Sequence, residues 1–190
     1  MASEVSICNS ALRKLGASQI TSLEDNHKNA RACNEAYTRL RDAALRNHPW
    51  LFAKARAQLA ADSEAPEFGY AFKYQLPVDC LRLLPDYPGF IPNTPTRVIE
   101  SRYILTDEGG PLNIRYVRTV TDPNEMDALF REVLAFDIAL DICEEITQSN
   151  TKEEKLAARR RVAISEARRT NAIEREPEQP PEDTWVTVRS

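Results

Sequence analysis

Asp122-Pro123-Asn124-Glu125-Met126-Asp127-Ala128-Leu129-Phe130-Arg131-Glu132-Val133-Leu134-Ala135-Phe136-Asp137-Ile138-Ala139-Leu140-Asp141-Ile142-Cys143-Glu144-Glu145-Ile146 reads as one long helix. Its opening is a helix start: Asp122 as cap, Pro123 in the first turn, Glu125 closing a capping box. Its apolar residues, from Met126 and Phe130 through Leu134 and Ile138 to Ile142 and Ile146, cover most of the circumference. A helix that is apolar nearly all round is buried by other elements, so this segment is expected at the centre of a helical bundle.

Working outward toward higher numbers, a polar joint (residues 147–151) leads to a last helix from Lys152 to about Glu174. Its apolar content is thin: Leu156, Val162, Ile164, Ala167 and Ile173. It is expected to pack on one narrow side, or to make its remaining contacts with another chain. After Glu176 the composition shifts. Pro177-Glu178-Gln179-Pro180-Pro181-Glu182-Asp183 is an acidic, proline-rich spacer that cannot form a core. Thr184-Trp185-Val186-Thr187-Val188-Arg189-Ser190 then alternates around a tryptophan. The pattern suits an anchor on a tether, with Trp185, Val186 and Val188 added to a sheet edge or groove of another chain. Burial of Trp185 would contribute about 2–3 kcal/mol per chain.

Toward lower numbers the period changes. Arg97–Arg118 carries the strongest β signal. Residues 98–105 and 112–117 flank Asp107-Glu108-Gly109-Gly110, which supplies the positive backbone angles of a hairpin turn. Leu112, Ile114 and Tyr116 are expected on one face, Asn113 and Arg115 on the other. Residues 66–95 hold six prolines and two glycines, which excludes a long helix there. Within them Cys80–Leu84 is a short strand candidate. Leu51, Ala53, Ala55, Ala57 and Leu59 alternate with polar residues, as a half-wet strand does.

Two helices open the chain. Ser3 caps the first, whose apolar stripe is Val5, Cys8, Leu12 and Leu15, and Gly16 stops it. Asp25 or Asn26 starts the second, and Pro49 ends it. The expected fold is therefore α+β, mainly α: a helical bundle with an inserted small β region (hairpin) and an extended C-terminal tail. The expected divisions are residues 1–50 and 122–175 for the bundle, 51–121 for the insertion and 176–190 for the tail.

Composition narrows the function. The chain has 190 residues, a net charge of −4 and only 5 glycines. An acidic chain is poorly suited to gripping nucleic-acid phosphates over its whole surface, and so few glycines argue against a glycine-rich phosphate cradle. No positive segment followed by an apolar run opens the chain, and no run approaches 18 apolar residues, so neither a signal peptide nor a membrane span is expected. Cys8, Cys33, Cys80 and Cys143 lack paired spacing and are expected as reduced packing residues.

Catalytic signals are thin. His27 and His48 sit at no metal-ligand spacing, and no nucleophile or phosphate-loop motif is present. No catalytic residue, cofactor or metal is expected. Asp137, Asp141, Glu144 and Glu145 share one side of the central helix and read as a solvated stripe or as salt-bridge partners for the last helix. Arg159, Arg160 and Arg161, with Arg168 and Arg169, form the densest basic run. Interleaved glutamates make it a charged face, facing either another subunit or DNA.

Taken together, several segments resemble phage tail tubular protein A, the head-to-tail adaptor family. They are Ser6-Ile7-Cys8-Asn9-Ser10-Ala11-Leu12-Arg13-Lys14-Leu15-Gly16-Ala17, Ile20-Thr21-Ser22-Leu23-Glu24-Asp25, Ala32-Cys33-Asn34-Glu35-Ala36-Tyr37, Leu40-Arg41-Asp42-Ala43-Ala44-Leu45 and His48-Pro49-Trp50. The likeness continues through Phe52-Ala53, Arg56-Ala57-Gln58-Leu59-Ala60, Tyr74-Gln75-Leu76-Pro77, Asp79-Cys80-Leu81-Arg82, Asn113-Ile114-Arg115-Tyr116-Val117 and Asp122 to Phe130.

The resemblance implies a virion protein of the phage neck, made and assembled in the host cytoplasm. It implies a homo-oligomeric ring, usually of twelve subunits, beneath the portal protein. Such a ring extends the channel through which double-stranded DNA leaves, without binding it specifically, and seats the tail nozzle or tube protein. By position and chemistry, Pro177, Pro180, Pro181, Trp185, Val186 and Val188 would reach the portal. A tail-associated cell-wall glycan hydrolase is the enzymatic alternative, and it would need Glu24 or Asp25 paired with Glu35 in a cleft. A helical interaction module unrelated to phage is the third reading.

Overall fold

A computed structural model describes residues 1–85 and 96–174. Helix accounts for 48% and strand for 18%, in two small sheets, so the fold is α+β and mainly α. The chain divides into two compact units, a helical one (residues 1–53 and 119–174) and a β one that begins at Lys54 and closes at Arg118.

The helical unit holds α1 (Glu4–Leu15), α2 (Lys28–Asn47), α3 (Ala128–Asp141), α4 (Cys143–Thr147) and α5 (Asn150–Ile173). Helix α1 forms where its sequence signals place it. Ser3 Oγ accepts from the Ser6 amide while Ser6 Oγ accepts from the Ser3 amide. Gly16 closes the helix at φ 70°, a conformation that costs a side chain-bearing residue strain. Lys152 Nζ then donates to the Leu15 carbonyl at 2.7 Å, satisfying an end group the helix leaves open. Helix α3 is central and packs against α1, α2 and α5. Phe130, Val133, Leu134 and Ile138 are all at most 1% exposed.

Four helix boundaries differ from the sequence expectation, the smallest difference being at α5, which begins at Asn150 after its cap Ser149 and not at Lys152. Helix α3 begins at Ala128, capped by Asp127 Oδ1, which accepts from the Leu129 and Phe130 amides. Asp122 instead closes a preceding turn, its carboxylate accepting from Asn124 N–H and side-chain amide. Both aspartates offer the same capping chemistry, and the one nearer the buried Phe130 won. Asp127→Ala is therefore expected to cost about 1 kcal/mol in urea unfolding, and Asp122→Ala less than half of that. The long helix also breaks at Ile142 (φ −94°, ψ 2°), which leaves α4 as a separate turn while Ile142 and Cys143 both stay buried. Helix α2 starts after His27, whose Nδ1 accepts from the Asn29 amide. Asp25, expected as a possible start, is occupied elsewhere: it accepts from Thr21 N–H, Thr21 Oγ1 and Ser22 N–H.

Helix α2 ends at Asn47, two residues ahead of Pro49. Leu51–Ala53 is a 3-10 turn, not the start of a strand. The Leu51 amide donates to Asn171 Oδ1 on α5, and Trp50 Nε1 donates to the Ala44 carbonyl. Those partners belong to helices, so the chain becomes extended only from Lys54.

The β unit contains β1 (Lys54–Leu59), β2 (Phe72–Gln75), β3 (Cys80–Leu84), β4 (Val98–Glu100), β5 (Tyr103–Thr106) and β6 (Leu112–Arg118). They form two antiparallel three-stranded sheets, ordered β1-β6-β3 and β2-β5-β4. The expected pairing of residues 98–105 with 112–117 is not formed. Residues 98–105 break at Ser101 (φ 54°), and β4 folds back on β5 to make the hairpin. Strand β6 lies between β1 and β3 in the other sheet, with Ala57 opposite Ile114 and Leu59 opposite Leu112. Its phase is as read: Leu112, Ile114 and Tyr116 are buried and Asn113 is exposed. Tyr74, Ile104, Leu112 and Ile114 anchor this unit's own core.

Candidate interaction site

The sequence places its interaction signals on α5 and the tail. Pro177, Pro180, Pro181, Trp185, Val186 and Val188 lie outside the described residues. Arg159, Arg160 and Arg161 do not share one face, because successive helical residues are 100° apart. Arg160 is half-buried, and its Nε donates to Asp137 Oδ1 at 2.7 Å. Arg159 and Arg161 are exposed. The basic run is thus one structural cation between two solvent-facing ones.

Three of the four carboxylates read as one stripe, Asp137 and Asp141 on α3 and Glu145 on α4, have basic partners, while Glu144 is exposed. Asp137 pairs with Arg160 of α5, and Asp141 accepts twice from Arg39 Nη2 of α2, at 2.8 Å each. That partner holds the Arg39 guanidinium above its ordinary range. Glu145 pairs with Lys28 at 3.6 Å. These are bridges between helices, worth little singly at the surface, but they tie α2 and α5 to the central helix.

Between those two outer helices α3 is left uncovered along an open groove of about 690 Å³. Its walls are Leu40, Ala43, Ala44 and Asn47 on α2 and Ala157, Arg160 and Arg161 on α5. Its floor is Leu140 between Asp137 and Asp141. Sequence reading did not find this groove. Three of its lining residues are alanines, Ala43, Ala44 and Ala157, whose small side chains leave the space between α2 and α5 unfilled. Two further exposed apolar side chains, Val162 and Ile173, lie on α5. Their separation of eleven residues returns them to nearly the same helical face.

The other reactive side chains are structural. His48 Nε2 and Asn171 Nδ2 are 3.0 Å apart, and the His48 ring meets Trp50 edge-on at 4.6 Å between centroids. All four cysteines are buried, and none of them forms a disulfide. The neighbouring Cys33 thiol, and then burial, push Cys8 far above the usual thiol range, so it stays protonated. Among the described residues no group of His, Cys, Asp and Glu side chains is placed to hold a metal ion. No described helix is long and apolar enough to cross a membrane.

The hydrolase reading draws on Glu24, Asp25 and Glu35. Glu24 and Glu35 are exposed. Asp25 is held below the ordinary carboxylate range, chiefly by the Ser22 amide and then by Thr21. That shift suits a carboxylate that stays ionised and not a general acid. The sign has a consequence for stability. A depressed native value means Asp25 stabilises the fold above about pH 4, its unfolded range, and loses that contribution as acid protonates the native carboxylate. Asp25→Asn is expected to flatten the acid limb of a stability–pH profile below about pH 4; an unchanged acid limb would contradict the assignment.

No family model matches this sequence, and no curated protein is significantly similar to it.

Proposed function

We propose that this protein is a structural head-to-tail adaptor of a tailed bacteriophage. It acts by assembly and not by catalysis. Copies form a ring beneath the portal protein, lengthen the DNA channel and present a platform for the tail nozzle or tube protein. The duplex passes without specific binding, which suits an acidic chain.

The observation that carries the reading is where the resembling residues fall. Ser6 to Ala17 makes α1 and its Gly16 stop. Within it Asn9 holds Ile20, another resembling residue, through both its oxygen and its nitrogen, at 2.8 and 2.9 Å. Asp25 fastens Thr21 and Ser22. In His48-Pro49-Trp50 the proline stops α2 and the indole returns to Ala44. The resembling residues thus include ones that set the joints, as expected when a family shares an architecture and not a reaction.

Mixing the protein with the portal of the same phage and imaging the product by electron microscopy tests this. A stacked ring, with its copy number visible, is the expected result. No association by correctly folded protein overturns the reading and makes glycan release the next assay. Removal of residues 177–190 is expected to weaken portal binding by about tenfold or more, with the circular dichroism of the rest unchanged. Undiminished binding would remove the tail from the portal contact.

A further inference from the structure

One side of α5 is spent on the bundle. Leu156 and Ala167 are buried, and Arg160 turns in to Asp137. The exposed side carries Lys155, Arg159, Arg161, Arg168 and Arg169. None of these five forms an ion pair among the described residues. Between Lys155 and Arg169 the one carboxylate is Glu166, while Glu153, Glu154 and Glu174 stand toward the helix ends. A chain of net charge −4 thus keeps one strongly basic face. We propose that this face meets the phosphate backbone of duplex DNA and that α5 lines the channel; the second part rests on the adaptor reading.

The geometry suits a charged rod. The five cations spread over about 21 Å of helix. Arg161 and Arg168, seven residues apart, return to one flank about 10 Å further on. Lys155 and Arg159, one turn apart, share the other flank. A duplex carries one negative charge per about 1.7 Å of its axis, so phosphates lie within reach of long side chains all along such a face. A protein partner would be held by a few large side chains packed at the centre of the contact. Here the centre offers only Val162, and α5 holds no aromatic residue. Cations alone, with no ring to stack on a base, position a backbone and do not read a sequence.

Weak holding agrees with passage. A contact that neutralises four or five phosphates weakens on the order of a thousandfold between about 25 and 150 mM salt. Each copy's hold at the salt of a cell is therefore slight.

Fluorescence anisotropy of a labelled duplex of about 20 base pairs, titrated with the full-length chain at several salt concentrations, tests the proposal. Binding is expected at about 25 mM salt, equally for AT-rich and GC-rich duplexes. The logarithm of the affinity should fall against that of salt with a slope of about −4. Arg161→Gln combined with Arg168→Gln is expected to reduce the slope by about 2. Both side chains are exposed, so the fold is expected to be retained. Arg13→Gln combined with Arg31→Gln removes the same charge from exposed positions of α1 and α2 and is expected to leave the slope unchanged. No binding by folded protein at about 25 mM salt overturns the proposal. So does a slope that the α5 pair leaves unchanged, or that both pairs change alike. Loss of self-association in the α5 pair, read by sedimentation, with duplex binding unaffected would make the face a contact between copies instead. The portal enters none of these measurements. A ring beneath the portal, built by a chain that binds no duplex, would leave the adaptor reading standing and remove α5 from the channel wall.

Discussion

Phe130→Ala is expected to lower the unfolding free energy of the helical unit by about 3–5 kcal/mol. Phe130 is 0% exposed and stands in the first turn of α3. Its ring meets Trp50 edge-on at 5.2 Å and Phe52 edge-on at 5.1 Å. Truncation removes the transfer energy of a whole ring and leaves a cavity against two rigid aromatics that cannot collapse into it. It also removes two aromatic pairs. The His48–Trp50 joint and the start of α3 loosen together, because both lean on this residue. Urea unfolding followed by near-ultraviolet circular dichroism measures the loss. Phe52→Ala, at a half-buried position, serves as the milder comparison. A cost below about 1 kcal/mol, the range of ordinary surface changes and single caps, would mean that the aromatic cluster is not the anchor described.

Tyr74 is the corresponding anchor of the β unit, and two substitutions separate its two roles. The ring is fully buried in the core that Leu76, Ile104 and Leu112 share. The hydroxyl lies 2.8 Å from both the Glu108 and the Gly110 carbonyls. One proton serves two acceptors, and together they hold the turn that passes from β5 to β6, where Gly110 adopts φ 83°. Tyr74→Phe leaves both carbonyls without that donor and is expected to cost about 1–3 kcal/mol. Tyr74→Ala adds the cavity and is expected to cost about 3–5 kcal/mol or more. Hydrogen exchange read amide by amide gives the check. Protection in β2, β5 and β6 should fall in both variants, and the turn at residues 108–110 should fall even in Tyr74→Phe. Unchanged exchange at that turn would show the hydroxyl to be dispensable.

Much of the candidate interaction site escaped sequence reading for a physical reason. The basic run Arg159-Arg160-Arg161 is conspicuous as a string, yet its middle member is consumed by Asp137. The groove beside it has no string at all. Its lining comes from three helices, and Leu40, Leu140 and Ala157 are each ordinary core-type residues in their own segments. The space exists only because α2 and α5 both rest on α3 and leave it partly open between them.

What the sequence determined by itself was local. Ser3 and Gly16 set both ends of α1, Pro49 set the limit of α2, and the alternation from Leu112 to Tyr116 set which face of β6 is buried. Each depends on backbone geometry or side-chain period within a few residues. Tertiary structure decided the choices that local chemistry left degenerate. Asp122 and Asp127 are both competent caps, and burial of Phe130 selected the second. Residues 98–105 and 112–117 suit a shared hairpin as well as separate sheets, since alternation fixes the face of a strand and not its neighbour. The unit's core settled it, by placing β6 between β1 and β3 and turning β4 onto β5, the arrangement that buries Ile104 and Leu112 in one cluster while every strand keeps an antiparallel partner.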